Sequence, residues 1–199
     1  MSGAGAPDFF YREAQRLGYV ARSAFKLLQM QNKYKLITAG SSVLDLGCAP
    51  GAWLQVACQN LGPLKNGGSV VGIDLKQRGF SVVLSDMCPL VSGITTTDAA
   101  LSAELGMRAL EVAVGRSALG HMSGDIQMDG QSKPSACAPD DEGVLRPGGH
   151  LVIKLLESED TQEFRRICSP LFRKTSWLRP KATRSSSREI YFICQSLLS

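Results

Sequence analysis

The chain has 199 residues, 44% of them hydrophobic, and a formal net charge of +4. This length suits one domain with a sizeable core, and the hydrophobic content excludes a chain that is disordered by composition. No apolar run is long enough to span a bilayer, so we expect no membrane partner.

Apolar periodicity and short apolar runs predict helices alternating with strands. In chain order we predict helices at 8–17 and 22–34, a strand at 42–46, a helix at 50–60, strands at 69–74 and 81–86, a helix at 98–114 capped by Asp98, a strand at 150–155, a helix at 159–167, and closing strands at 175–178 and 189–194. This alternation favours one α/β domain over residues 1–199 with a mainly parallel sheet. Residues 115–143 are rich in Gly, Ser, Asp and Pro, which predicts a flexible insertion.

The six cysteines form no C-x-x-C pair, and none lies at metal-ligand spacing from a histidine. We therefore predict no metal site, and reduced thiols in an intracellular protein. Basic residues cluster near the N-terminus and in the last quarter of the chain. A polyanionic partner and an ordinary solvated face both remain open for these clusters.

A glycine-rich turn follows the first predicted strand, in the segment DLGCAPG that runs from Asp45 to Gly51. Glycines let a ligand approach the backbone, and the following helix offers free N–H groups. The turn lacks the G-x-G-x-x-G pattern of dinucleotide sites and the lysine of a phosphate-binding P-loop. Asp74 ends the next strand, where a carboxylate can accept both hydroxyls of a ribose. An ordinary turn between strand and helix remains the alternative, and Asp45 is predicted to orient the turn rather than to touch a ligand.

Three polar residues interrupt apolar strands. Asp86 ends SVVLSD, Lys154 ends HLVIK, and Glu189 opens EIYFIC. Because ligands bind beyond the C-terminal ends of parallel strands, we expect Asp86 and Lys154 to converge there. A lysine that reaches solvent from a strand end is the alternative.

Together these segments resemble the FtsJ/RrmJ family of ribose 2′-O-methyltransferases, and within it the plant-like branch of ribosomal RNA methyltransferase 2. The similar segments occur in the family's order: RSAFKL at 22–27, DLGCAPGAW at 45–53, VGID at 71–74, SDM at 85–87, PGG at 147–149, VIK at 152–154 and SREIY at 187–191. The resemblance implies a Rossmann-like class I fold that uses S-adenosylmethionine, with helices on both faces of the sheet.

The resemblance also implies site residues. The family's Lys-Asp-Lys-Glu tetrad matches Lys26, Asp86, Lys154 and Glu189. The implied cofactor-binding residues are Gly47, Pro50, Gly51, Trp53, Asp74 and Asp86. Lys154 would take the proton of a ribose 2′-hydroxyl or stabilise its anionic form, with Lys26 adding a second positive charge. Asp86 would position Lys154 and the methyl donor, and Glu189 would orient a lysine or the ribose.

The expected substrate is RNA, most of all a uridine of large-subunit ribosomal RNA, with transfer RNA as the alternative. Arg22, Arg184 and Arg188 are the candidate RNA-binding residues. We expect a monomer in the mitochondrion or the cytoplasm, with the chloroplast open. A small-molecule methyltransferase is a further alternative, but it would leave Lys26 and Glu189 unexplained.

The sequence departs from the family between the second and third strands. Family members carry a further strand and helix there, whereas here only residues 75–80 connect the two strands. In the family's strand order these strands flank the first one, so the link must cover a diagonal of about 19 Å, and six extended residues reach only about 20 Å. We therefore expect strain, or a second strand that is displaced, frayed or partly paired. The chain would then be a shortened form of an active enzyme, or an impaired relative that keeps RNA binding.

Overall fold

The computed structural model describes residues 9–72, 79–120, 143–159 and 161–199. These residues form an α/β fold in which a six-stranded sheet has apolar cores on both faces. The elements are α1 (Phe9–Arg16), α2 (Ala24–Tyr34), β1 (Ser42–Leu46), α3 (Ala52–Leu61), a 3-10 helix (Leu64–Asn66), β2 (Ser69–Gly72), β3 (Phe80–Ser85), α4 (Thr95–Val114), α5 (Arg116–Gly120), β4 (Leu145–Leu156), α6 (Thr161–Cys168), β5 (Phe172–Leu178) and β6 (Glu189–Leu197). Among the described helices, none has the length and apolar character needed to cross a membrane.

The strand order is β2-β1-β3-β4-β6-β5. The first four strands in this order are parallel, and β6 is antiparallel to both of its neighbours. The C-terminal ends of β1, β3 and β4 therefore meet at one edge of the sheet, and β6 begins there. The predicted α/β architecture with a mainly parallel sheet is confirmed.

Side chains alternate between the two faces of each strand. On one face, Val43, Val152 and Ile193 pack with α2 and α3 in one core. On the other face, Leu44 and Ile153 pack in a second core with α4 and α6. Every second residue continues on the same face, so alternation directs Asp45, Asp86, Lys154 and Glu189 to the face that α2 covers. The sheet geometry gathers these polar side chains in this way.

Some predicted boundaries are wrong. Strand β4 begins at Leu145 rather than at 150, and β5 begins at Phe172 rather than at 175. Helix α4 begins at Thr95, with Ile94 at its N-cap position, so Asp98 lies inside the helix and does not cap it. The Asp98 carboxylate instead accepts hydrogen bonds from the backbone N–H groups of Ser92 and Gly93 in the preceding loop.

Strand β2 pairs with β1 over all four of its residues, from Ser42↔Ser69 to Asp45↔Gly72. The expectation that this strand is displaced, frayed or partly paired is therefore wrong for residues 69–72. Residues 73–78 lie outside the described residues, so strain in the 75–80 connection stays a prediction. Of the expected insertion at 115–143, residues 116–120 form helix α5 and residues 121–142 lie outside the description.

Candidate active site

Two lysines and two carboxylates form a closed cluster where β3, β4 and β6 meet α2. The Nζ of Lys26 lies 2.6 Å from Oε2 of Glu189. The Nζ of Lys154 lies 3.0 Å from Oδ1 of Asp86 and 3.8 Å from Oε1 of Glu189. It also donates a hydrogen bond to the backbone carbonyl of Asp86. The structure thus brings together all four residues of the predicted tetrad, although 163 positions separate the first from the last.

Strand register explains this geometry. Lys154 lies opposite Tyr191, and Leu156 lies opposite Glu189, in the antiparallel β4–β6 pair. Ser85 lies beside Ile153 in the parallel β3–β4 pair, which brings Asp86 next to Lys154. Lys154 is only 7% exposed. A buried ammonium needs partners of opposite charge, and the two carboxylates supply them.

Glu189 is ionised within this cluster. Burial raises the pKa of its carboxyl, but the hydrogen bond and charge of Lys26, followed by the charge of Lys154, outweigh burial. The net pKa of Glu189 is therefore lowered from its ordinary value. Glu189 bridges the two lysines and holds them at a fixed separation.

Tyr191 adds a contact that the sequence analysis did not assign. Its hydroxyl donates a hydrogen bond of 2.7 Å to Oδ1 of Asp86, and the side chain is fully buried. Burial, followed by the charge of Asp86 and the hydrogen bond to it, raises the pKa of Tyr191 well above its ordinary value. The phenol therefore stays protonated and acts as a fixed donor. The sequence signal for this contact is the alternation of side chains along β6, which places residues 189 and 191 on the same face of the sheet.

A shallow groove of about 10 Å³ borders the cluster on the side of the glycine turn. Its lining includes Asp45, Gly47, Pro50, Trp53 and Asp86, and so contains four of the predicted cofactor residues. Gly47 has a φ of 76°, and a Cβ added there would lie 2.8 Å from Cγ of Met87. The turn can therefore approach the end of β3 only with glycine at this position.

Gly51, predicted to bind the cofactor, is the N-cap residue of α3 with a φ of 101°. Among the described residues, Gly51 does not line the groove. Trp53 follows on α3 and donates a hydrogen bond of 3.0 Å to the carbonyl of Ser23. This bond ties α3 to the start of α2, where Lys26 lies. Asp74, the predicted ribose acceptor, lies outside the described residues.

Asp45 presents a buried carboxyl to the same groove. It is 1% exposed, and neither carboxyl oxygen has a hydrogen-bond partner among the described residues. Burial, followed by the charge of Asp86, raises its pKa to about 7. Two carboxyl groups in one groove, one of them without a partner in the described part of the chain, suit a ligand that carries positive charge.

A basic cavity of about 290 Å³ opens on the other side of the cluster. Its lining residues are Arg22, Ser23, Lys26, Ala182, Arg184, Ser186, Ser187 and Glu189. Burial, followed by the charge of Arg184, lowers the pKa of Arg22. Two guanidinium groups that repel each other at a cavity favour an anion between them. Ser23 lines both the groove and the cavity, so the two meet at the cluster.

Comparisons with known proteins show which family this chain resembles. The family model described as FtsJ-like methyltransferase matches residues 19–80 and 75–197. A ribosomal RNA large subunit methyltransferase E of Desulfatibacillum aliphaticivorans is 34% identical over 214 residues, covering 94% of this chain and 88% of the relative. A protein of the same name from Syntrophobacter fumaroxidans is 35% identical, covering 94% of this chain and 93% of the relative.

This chain belongs to the FtsJ-like methyltransferase family. A crystal structure of a Plasmodium falciparum protein described as a ribosomal RNA methyltransferase shares the fold with a TM-score of 0.63. It is 18% identical, and the match covers 91% of this chain and all of that one.

The comparisons also bear on the short connection of this FtsJ-like methyltransferase. The two family-model segments overlap at residues 75–80, where we predict that a strand and helix of the family are missing. The alignment with the Desulfatibacillum aliphaticivorans relative spans 214 residues, which is more than the 199 residues of this chain. That relative therefore has internal residues without a counterpart here. That these unmatched residues belong at the 75–80 connection stays a prediction.

Arg188, a candidate RNA-binding residue, makes contacts within the FtsJ-like methyltransferase fold. Its guanidinium donates hydrogen bonds to the backbone carbonyls of Glu157 at 2.6 Å and Thr95 at 3.4 Å. These bonds join the segment before β6 to the start of α4. A phosphate contact by Arg188 stays a prediction, whereas Arg22 and Arg184 both line the basic cavity.

Replacing Tyr191 with phenylalanine is expected to lower stability by about 1–2 kcal/mol, because a buried hydroxyl bonded to a carboxylate is removed. We also expect slower methyl transfer, since Lys154 is then the one partner of Asp86 that remains among the described residues. Urea denaturation and initial rates measure the two effects. The matched variant Tyr34→Phe, on α2, should change neither. Full activity in Tyr191→Phe would show that Asp86 needs no positioning by the phenol.

Proposed function

We propose that this protein transfers a methyl group from S-adenosylmethionine to a ribose 2′-hydroxyl of RNA, most of all a uridine of large-subunit ribosomal RNA. The position of Lys154 carries the proposal. Its ammonium lies between Asp86 and Glu189, where a groove lined by carboxyl groups meets a cavity lined by arginines. A cationic methyl donor suits the groove, and an anionic nucleic acid suits the cavity. Relatives named for methylation of ribosomal RNA support the substrate class.

The groove residues fit S-adenosylmethionine. The unpartnered carboxyl of Asp45 and the carboxylate of Asp86 face a ligand with a positive sulfonium and ammonium. Gly47 and Pro50 supply backbone at close approach, and Trp53 closes the end of the groove towards α2. When bound, the cofactor would supply an electrophilic methyl group.

The cluster residues can activate a hydroxyl. Lys154 is positioned to bind the 2′-oxygen. In its neutral form, after its ammonium has released a proton to solvent, it accepts the hydroxyl proton as that oxygen becomes nucleophilic. Asp86 and Glu189 fix the Nζ of Lys154 from two sides, which restricts the hydroxyl to one approach. Lys26, bound to Glu189, adds positive charge beside the developing oxyanion. DNA lacks the reacting hydroxyl and would not serve as substrate.

A methyl-transfer assay tests the proposal. Purified protein, tritium-labelled S-adenosylmethionine and an unmodified transcript of large-subunit ribosomal RNA should give label in RNA. Mapping of the product should show a 2′-O-methylated ribose, and a transcript with a 2′-deoxynucleotide at the mapped position should stay unlabelled. Label on a base instead of a ribose would contradict the proposal.

Replacing Arg184 with alanine is expected to lower the affinity for RNA and to reduce the salt dependence of that affinity. One phosphate contact accounts for a slope of about 0.7 in log affinity against log salt for a single strand. Filter binding at several salt concentrations should show the slope of the variant reduced by about that amount. The control is Arg108→Ala on α4, where Arg108 pairs with Glu104. An unchanged slope in Arg184→Ala would place the phosphate elsewhere.

Two observations favour a second candidate, an RNA-binding protein with an impaired cofactor site. Among the described residues the groove encloses only about 10 Å³, and the family match falls into two segments that overlap at the 75–80 connection. Calorimetric titration with S-adenosylhomocysteine separates the two candidates. Affinity equal to that of a longer relative would favour the enzyme. RNA binding without measurable cofactor affinity would favour the impaired form.

A further inference from the structure

A loop of apolar side chains exposed to solvent begins at the active site. Residues 87–94 connect Asp86, at the end of β3, with the start of α4. Within this loop Leu90 is 95% exposed, Val91 is 66% exposed and Ile94 is 60% exposed. Exposing a large aliphatic side chain forgoes about 1.5–3 kcal/mol of burial. The loop therefore exposes apolar surface, although polar side chains at these positions would forgo no free energy of burial.

Contacts fix both ends of this loop. At its start, Asp86 is bound by Lys154 and by the Tyr191 hydroxyl. At its end, the buried carboxylate of Asp98 accepts hydrogen bonds from the Ser92 N–H at 2.7 Å, the Ser92 hydroxyl at 2.7 Å and the Gly93 N–H at 3.1 Å. The exposed apolar residues therefore lie in a loop whose two ends are held in place by these contacts.

The position of the loop indicates what covers it. Leu90 is four residues from Asp86, and the cluster that contains Asp86 also borders the cavity lined by Arg22 and Arg184. Cys88 of the loop lies near the charges of Lys154 and Glu189. A ligand that enters the cavity and extends past the cluster would therefore reach the loop after the arginines. A nucleotide has this chemistry, with an anionic backbone and an apolar base face.

We infer that the 87–94 loop is a platform for an unpaired base of the RNA substrate, which packs on Leu90 and Val91 while Arg22 and Arg184 hold the backbone. The inference rests on the proposed function and adds a residue set for substrate recognition to it. Sequence-specific proteins read RNA mostly at unstacked bases, and the platform would select a target that is single-stranded or turned out of a helix.

The test compares Leu90→Ser and Val91→Ser with the matched variant Leu101→Ser, whose leucine is 41% exposed on α4. Affinity for an unmodified large-subunit ribosomal RNA transcript is measured by filter binding with S-adenosylhomocysteine present. We expect the two loop variants to bind RNA about fivefold to tenfold more weakly. Leu101→Ser should match the parent chain, and all variants should keep their affinity for S-adenosylhomocysteine. Leu90→Phe should retain RNA binding, because an aromatic ring can still pack on a base.

Equal RNA affinity in Leu90→Ser and the parent chain would overturn the platform. So would an equal loss in Leu101→Ser, since the loop would then have no special role. These outcomes are separate from failure of the proposed function, which appears as the absence of methyl transfer by the parent chain. RNA binding can be measured without turnover, so it decides on the platform in either case, and a parent chain that binds no RNA overturns it too.

Discussion

Replacing Lys154 with alanine is expected to lower the rate of methyl transfer by about a hundredfold or more, the usual contribution of a positioned proton acceptor. Its Nζ is held by Asp86 and Glu189 at the junction of the groove and the cavity. Among the described residues, no other lysine contacts both carboxylates. Single-turnover measurements with saturating RNA report this step directly. Affinity for S-adenosylhomocysteine should change little, because Lys154 is absent from the groove lining.

Removing this lysine also leaves two partly buried carboxylates without their shared partner, which can cost about 3–5 kcal/mol of stability. Lys154→Arg therefore serves as a second variant, because it keeps the positive charge but cannot accept a proton. It should fold and remain inactive. Lys174→Ala, on β5, is the control for loss of a lysine. Transfer by folded Lys154→Arg at the parent rate would show that Lys154 takes no proton.

Replacing Asp45 with asparagine is expected to stabilise the protein above neutral pH. The carboxyl has a pKa of about 7 in the folded protein, against an ordinary value of 3.8. Below the ordinary value both states hold the proton, so Asp45 costs nothing. As pH rises from there through 7, the unfolded chain releases the proton and the folded protein must bury a charge, so stability falls. At pH 8.5 Asp45→Asn should therefore exceed the parent chain by about 2–4 kcal/mol in free energy of unfolding.

Asp98→Asn is the matched control, because its effect has the opposite sign. Hydrogen bonds from Ser92 lower the pKa of Asp98, so its ionised form stabilises the fold above its ordinary pKa. This stability is lost as pH falls through the lowered pKa, and the asparagine variant should be the less stable one at pH 8.5. Urea denaturation of both variants at pH 4.5 and 8.5 measures the difference. A stability gain for Asp45→Asn that does not depend on pH would contradict a titrating carboxyl.

Much of the fold follows from local pattern. Strand β1 has the predicted bounds, because its apolar run ends at a glycine turn. Helix α4 begins three residues early, since its acidic residue bonds to the loop rather than to the first turn, and residue type alone does not distinguish the two roles. Helix α5 was missed because its five residues carry too little periodicity to be recognised.

The site could be predicted as a set of residues that includes the Asp86–Lys154 pair, but the contacts of Glu189 with both lysines could not be predicted. Motif order identified Lys26, Asp86, Lys154 and Glu189. Which lysine contacts which carboxylate depends on the register of β4 against β6 and on the rotation of α2, and neither is encoded locally. The donor at Tyr191 and the unpartnered carboxyl of Asp45 depend on long-range packing in the same way.

The positive charges of the two lysines in the cluster balance the negative charges of the two carboxylates. The N–O distance of each ion pair is 3.8 Å or shorter, well inside the screening distance of about 8 Å in physiological salt. Dissolved ions therefore have little access to these contacts, whereas they compete directly for the arginines of the outer cavity. Ionic strength should accordingly govern how often RNA is captured and leave the turnover of captured RNA nearly constant. A cell could then adjust the output of such an enzyme through its salt content without altering the chemistry.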